Sequence, residues 1–285
     1  MNAGPQGHAE RDHFARIAPQ WSQFGPPLRP TSEDTAFMQR IVSHRQERLD
    51  AVVLGVTPEI VGCTWPAGTR LTAVDHSSKM IAALWPPKQT AEDAAAVLGD
   101  WCAMPLASAS VDLVAGDGCF IVLPYPQGYD SLLREVRRVL RPGGRLAIRV
   151  FLRPDAGESV DDIARDLALG NIGSVHVLKL RLLAALHGAS GAGTLLDDVS
   201  HHWHTMRHVV KPTQTRGWSA EEIVSIENYR GMSARYYLPT LNEFRACLHG
   251  FFVESACDIG GYEIADRCPT LTLCCAGSTQ VATSR

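Results

Sequence analysis

Several side chains stand where chemistry is done. Asp75 closes the apolar run Arg70-Leu71-Thr72-Ala73-Val74. Asp100 follows Ala94–Leu98 and Gly99, and Asp117 follows Val111–Ala115 and Gly116. A carboxylate at the tip of a buried strand accepts hydrogen bonds from a sugar hydroxyl that lies across the strand ends. Farther along, His201, His202, His204 and His208 crowd into eight residues, and Tyr229, Arg230, Arg235, Tyr236 and Tyr237 into nine. On a helix His204 and His208 share a face, as metal ligands can. No carboxylate has comparable register, so no metal site is expected; one of these histidines touching substrate or acting as a base is the functional alternative to a surface role. The Tyr/Arg group could close over a ligand or bind an acidic substrate group, against the plain alternative of a satisfied packing network. Trp21 and Arg29 are weaker candidates of the same kind.

Such residues need a frame to hold them. Ala51-Val52-Val53-Leu54 reads as a strand, Gly55-Val56-Thr57 as a glycine-opened turn, and Thr57 with Pro58 as the cap and first residue of a short helix. The chain then returns through the strand that ends at Asp75. This crossover directs a helix N-terminus into the crevice beyond the strand ends, where an open α/β sheet binds a nucleoside-containing cofactor. Ser77 can cap a following helix whose inner side is Met80, Ile81 and Leu84, Met80 being either core or a cofactor contact. A weak third strand (94–98), a fourth (111–115), an amphipathic helix (127–140) and a fifth strand (145–151) after Pro142-Gly143-Gly144 continue the alternation. Upstream, Phe14, Ile17 and Trp21 line one side of a short helix, a proline-rich break follows, and a second helix is expected over 32–49.

Between 155 and 239 the rhythm is helical. Val175/Leu178/Leu182 and Leu195/Val199/Trp203 form apolar faces suited to covering an acceptor, with glycines 188, 191 and 193 as a break. Strands at 251–255 and 271–275 then form an antiparallel pair. The expected organisation is an N-terminal helical cap (1–48), a Rossmann-like core (49–154), a helical insertion or lid (155–239) and a C-terminal part of the core (240–285).

Composition narrows the classes. The chain has 285 residues and a formal charge of −3 from 27 basic and 30 acidic residues, so no global field attracts nucleic acid or an anionic membrane. No apolar run reaches spanning length. Residues 1–10 lack an apolar signal core, which argues against secretion. Eight cysteines fit neither a disulfide framework nor paired zinc ligands and suit a reducing cytoplasm.

The glycine crossover at Gly55, Asp75 at its strand tip, Gly99-Asp100-Trp101 after the third strand, and the run Leu133-Arg134-Glu135-Val136-Arg137-Arg138-Val139-Leu140-Arg141-Pro142-Gly143-Gly144 together resemble class I S-adenosylmethionine-dependent methyltransferases. The resemblance covers roughly 49–150 and, more loosely, 238–275. It implies an α/β, Rossmann-like, mostly parallel seven-stranded sheet with an antiparallel last strand, here carrying a helical insertion. It also implies S-adenosyl-L-methionine as cofactor, held by Gly55, Thr57, Asp75, Met80, Asp100, Trp101, Asp117 and Gly118. Asp75 would take the ribose hydroxyls, Asp100 the adenine amino group, and the Trp101 backbone N–H a ring nitrogen. Asp117, Gly118 and Cys119 would line the methionine end and the acceptor; Asp117, His204 and Tyr229 are the candidate catalytic residues. The chain departs from the family where Val53 replaces an acid and where Thr57 and Glu59 replace glycines. The expected activity is methyl transfer to a small organic acceptor. A cofactor-binding protein without transfer, a protein or RNA methyltransferase, and a homodimer built on the insertion's apolar faces are the alternatives.

Overall fold

In the computed structural model, residues 13–44, 48–85, 91–188, 191–207 and 217–276 are described. Seven strands form one sheet in the order β3-β2-β1-β4-β5-β9-β8: β1 Asp50–Leu54, β2 Arg70–Asp75, β3 Asp93–Leu98, β4 Val111–Asp117, β5 Leu140–Arg149, β8 Phe252–Asp258 and β9 Thr270–Cys275. A two-stranded sheet pairs β6 Thr194–Leu195 with β7 Arg235–Tyr236. Strands β1 to β5 pair in parallel, and β9 lies antiparallel to both β5 and β8. This is the mixed sheet the sequence predicts.

Central strands of such a sheet are covered on both faces and read as unbroken apolar runs. Val52 and Val53 are fully buried on β1, as are Val114 and Ala115 on β4, and they serve two separate cores. One core, on the Val53 face, takes Ile17, Phe24, Met38 and Ile60. The other, on the Val52 face, takes Leu132, Val136, Phe244 and the insertion residues Leu178, Leu182 and Trp203. The alanine-rich β3 is the sheet edge, which accounts for its weak strand signal: only pairing to β2 holds it, and its residues alternate toward solvent.

Two boundaries differ from expectation. The helix predicted over 32–49 ends at Val42. By Leu49 the chain is already committed to the sheet, since the Leu49 carbonyl accepts from Arg70 N–H at 2.9 Å; residues 45–47, with Arg45, lie outside the described residues. The Pro-Gly-Gly turn lies within β5, not before it. Leu140 pairs with Val111 and Arg145 with Leu113, so residues 141–144 loop out as a bulge, with Gly143 at φ +78°.

Helix Ser32–Val42 opens with a capping box: Thr31 Oγ1 accepts from Asp34 N–H (3.1 Å), and Asp34 accepts from Thr31 N–H (2.8 Å). Thr31→Ala leaves the Asp34 amide without its cap and is expected to cost about 1 kcal/mol, measured as a lowered urea midpoint at unchanged slope.

The insertion's apolar faces are interior. Val175, Leu178, Leu182 and Val199 are fully buried and Trp203 nearly so. Among the described residues no helix is long and apolar enough to cross a membrane, and all eight cysteines are free thiols.

Candidate functional site

A cleft enclosing about 840 Å³, its open mouth included, lies beyond the C-terminal ends of β1, β2 and β4. Its floor is the turn after β1. Gly55 has φ +89°, a conformation that glycine adopts without a Cβ penalty. Asp75, Thr57 and the Trp101 ring are the nearest atoms to the place a Cβ would occupy. Thr57 stands at the N-cap of helix Pro58–Val61 but makes no side-chain cap bond.

Asp75 borders one end. Its Oδ1 accepts from Ser77 N–H at 2.8 Å, and Val56 supplies a second backbone donor. Burial outweighs both and pushes its carboxyl up to about 6. A buried carboxylate with acceptor capacity left over gains from any hydroxyl donor placed in the cleft.

Asp117 borders the other end. Arg149 Nε donates to Asp117 Oδ1 at 2.6 Å, and Arg149 Nη1 donates to the Pro27 carbonyl at 2.9 Å. Asp34 Oδ2 is 3.6 Å from the same guanidinium. Burial works against the charge on Arg149, but the Asp117 carboxylate overrides it and holds the guanidinium charged. Gly118 follows at φ +62°. A Cβ there would fall 2.6 Å from Phe151 Cε2, so only glycine lets that ring close the cleft.

The opposite wall comes from far along the chain in both directions. His13, Phe14, Ile17, Trp21, Phe24 and Leu28 face the cleft from the N-terminal side, Tyr229 and Tyr236 from the insertion. The rings contact one another: His13 lies 5.5 Å from Tyr229 and 5.7 Å from Tyr236, and Phe14 meets His76 edge-on at 5.3 Å. Two wall atoms are buried with no hydrogen-bond partner among the described residues, His13 Nδ1 and Trp21 Nε1. Arg29 does not line the cleft; its guanidinium lies over the Trp21 ring and bonds to Glu59.

Of the residues singled out from sequence, the cleft brings together Gly55, Thr57, Asp75, Met80, Trp101, Asp117, Gly118, Cys119, Trp21, Tyr229 and Tyr236. Two are elsewhere. Asp100 is exposed and its Oδ1 accepts from Cys102 N–H at 2.8 Å. It follows the edge strand, so its carboxylate turns to its own loop. The Trp101 indole does border the cleft, donating from Nε1 to the Val74 carbonyl at 2.6 Å. His204 is 3.2 Å from a Glu227 carboxylate oxygen and does not line the cleft; His208 lies outside the described residues. The faces Val175/Leu178/Leu182 and Val199/Trp203 are also absent from its walls.

Sequence reading passed over His13, Phe24, His76 and Phe151. Lys179 also escaped notice: it lies one turn after Val175 on the apolar face of helix Val175–Ala185, and a lysine in register with such a stripe was the available signal. Its amine is wholly buried, donates to Ser225 Oγ at 2.6 Å, and is lowered by burial to about 7.

Comparison with known proteins agrees with this geometry. Residues 55–148 match the model of a family described as a methyltransferase domain. A malonyl-[acyl-carrier protein] O-methyltransferase from Methylococcus capsulatus is 38% identical over 79 residues; the match spans 28% of this chain and 28% of that relative. A Burkholderia thailandensis 1,6-didemethyltoxoflavin-N1-methyltransferase, solved with S-adenosylhomocysteine, superposes with a TM-score of 0.54 at 13% identity, covering 97% of this chain and 92% of that one. Magnesium protoporphyrin IX methyltransferase from Synechocystis, also solved with S-adenosylhomocysteine, gives 0.54 at 12% identity over 95% and 100%. A Rhodobacter sphaeroides protein assigned among zinc-dependent alcohol dehydrogenases gives 0.59 at 11% over 94% and 98%. At these identities the structural likenesses establish the fold.

Proposed function

We propose that this chain, of which residues 55–148 match a methyltransferase domain, transfers a methyl group from S-adenosylmethionine to a small organic acceptor. The carrying observation is the placement of Asp75 and Asp117 at the two ends of one cleft, floored by the Gly55 turn. Asp75, short of donors and held up at about 6 by burial, fits a pair of ribose hydroxyls. Met80 and Trp101 supply apolar surface for a base at the same end. Glu59, ion-paired with Arg29, lies behind the cleft close enough to Asp117 to raise its carboxyl further. Bound there, S-adenosylmethionine supplies a methyl group already activated by a sulfonium charge. The chain's own work is alignment and exclusion of water. Phe151, Tyr229 and the aromatic residues of 13–24 do this by roofing the cleft, Phe14 meeting His76 beside Asp75. A roof this close, made of fixed rings, favours a small flat acceptor over a folded macromolecule.

Calorimetric titration tests the reading. Micromolar affinity for S-adenosylmethionine or S-adenosylhomocysteine, about −8 kcal/mol, is expected. No heat from either compound at millimolar concentration, with correctly folded protein, would sink it.

A further inference from the structure

The half of the cleft beyond Asp117 is charged in an unexpected way. Apart from Asp75 and Asp117, which border its two ends, no carboxylate among the described residues lines the cleft, and its walls are mostly rings and aliphatic side chains. Yet Lys179 Nζ sits 4.6 Å from the Phe24 ring centroid and 5.3 Å from that of Tyr229, a ring that in turn lies 5.5 Å from His13. No carboxylate pairs with this amine among the described residues; its recorded partner is the neutral Ser225 hydroxyl. Burial lowers this amine to about 7 and so leaves it only partly charged at neutral pH, and an anion bound nearby would favour its charged form. His13 packs on the same Tyr229 ring. It is 1% exposed, and its imidazole is pushed down to about 3 by burial first, then by the positive charges of Lys179 and Arg16. Its Nδ1 and the Trp21 indole N–H, on two residues that line the cleft, are buried with nothing to bond among the described residues.

We propose that the acceptor is an aromatic acid, a flat ring bearing an anionic oxygen, whose ring packs among Phe24, Phe151 and Tyr229 and whose charged oxygen lies at His13 and Trp21 in the field of Lys179. This rests on the methyl-transfer reading and names its substrate class. The chemistry balances without a base. The anionic oxygen forms its bond to the methyl carbon with its own lone pair, the carbon–sulfur bond breaks with its electrons left on sulfur, and no proton moves. Sulfonium and anion become two neutral groups, so the dry site favours products. A cationic amine would face Lys179 across the rings and be rejected by like charge. Lys179 borders the wall rings and not the cleft itself, so it is a positioning residue that acts through its field.

The experiment titrates the full chain with naphthoate, naphthamide and naphthylmethylamine, which share a ring system and differ in charge, with and without saturating S-adenosylhomocysteine. Naphthoate is expected to bind about tenfold tighter than either other compound. Lys179→Met should shrink that preference to less than about threefold, leave S-adenosylhomocysteine binding unchanged, and yield to rescue by Lys179→Arg. A loss of packing alone would weaken all three ligands together. Equal or better binding of the amide or the amine to the parent chain overturns the proposal, whether or not the variants fold. So does an acid preference that survives Lys179→Met. Failure to bind S-adenosylhomocysteine with the acid preference intact removes the methyl-transfer reading and leaves the acid site standing.

Discussion

Replacing Arg149 by Met is expected to lower stability by about 3–5 kcal/mol, because it strips the cation from a buried cluster and leaves carboxylates behind. Arg149 and Asp117 are both nearly inaccessible, with 2% and 6% of their side chains exposed, and Asp34 shares the guanidinium at 3%. The same side chain donates to the Pro27 carbonyl, so the substitution also frees the segment that walls the cleft. Urea denaturation at pH 8 measures the loss. The sign of its pH dependence follows from the orphaned acid. Burial already pushes Asp117 up against the opposing charge of Arg149; without Arg149 its folded value rises further above the unfolded one. Its penalty is then full at high pH and relieved as pH falls and the proton is taken up. The deficit of Arg149→Met should therefore shrink from pH 8 to pH 5. The double variant Arg149→Met/Asp117→Asn should regain more than half of it, since both charges leave together. A deficit below about 1 kcal/mol, as for an exposed pair, would show that the cluster is solvated.

The second large effect pairs a gain with a loss. Asp75→Asn is expected to weaken S-adenosylhomocysteine binding by about 1.5–3 kcal/mol, roughly 10- to 150-fold in Kd, by removing charge-assisted bonds to the ribose. The same change should stabilise the ligand-free chain at pH 8. Asp75 titrates near 6 in the folded state because of burial, above its unfolded value of about 3.9. Its contribution to stability is therefore present below about pH 4 and lost as pH rises through 6, where the buried charge must be carried. An amide keeps the bond from Ser77 without that charge. In the parent chain, ligand affinity should fall as pH drops below 6 and the carboxyl protonates; in Asp75→Asn that slope should vanish. Calorimetry at pH 5 and pH 8, with urea midpoints at both, checks all three statements. Unchanged affinity in the folded variant would remove Asp75 from the ribose.

The floor of the cleft was legible in sequence because each of its parts is local. Gly55 lies one residue past β1, Asp75 ends β2, and Asp117 with Gly118 ends β4; an apolar run followed by a glycine or an acid marks such a tip without knowledge of the rest. Asp100 has the same local signature but follows the edge strand, and edge position depends on the order of strands, not on the residues around it. The roof was illegible for a different reason. His13 and Tyr229 touch across more than 200 residues of chain, and no periodicity links them. The apolar stripes of the insertion were visible, but a stripe does not say what it faces: Leu178 and Leu182 seal the core, whereas Tyr229, at the end of a short 3-10 helix, and Tyr236, on the two-residue strand β7, reach the cleft. Lys179 was hidden by its company, one polar residue in a helix read for its leucines.

The roof also sets an order of assembly. Residues 13–28 are held by partners made much later. Arg16 donates to the Arg230 carbonyl, Gln20 accepts from Asn228 across 208 positions, and Arg149 bonds to Pro27 across 122. At a synthesis rate of roughly 5–20 residues per second, Gln20 waits roughly 10–40 s for Asn228 to exist. During that interval the sheet can begin to pair and Ile17 and Phe24 can pack on its Val53 face, but the sides of His13 and Phe24 that meet Tyr229 and Lys179 stay open. The cleft becomes a cleft only when the last turn of the insertion comes down on residues made half a minute before.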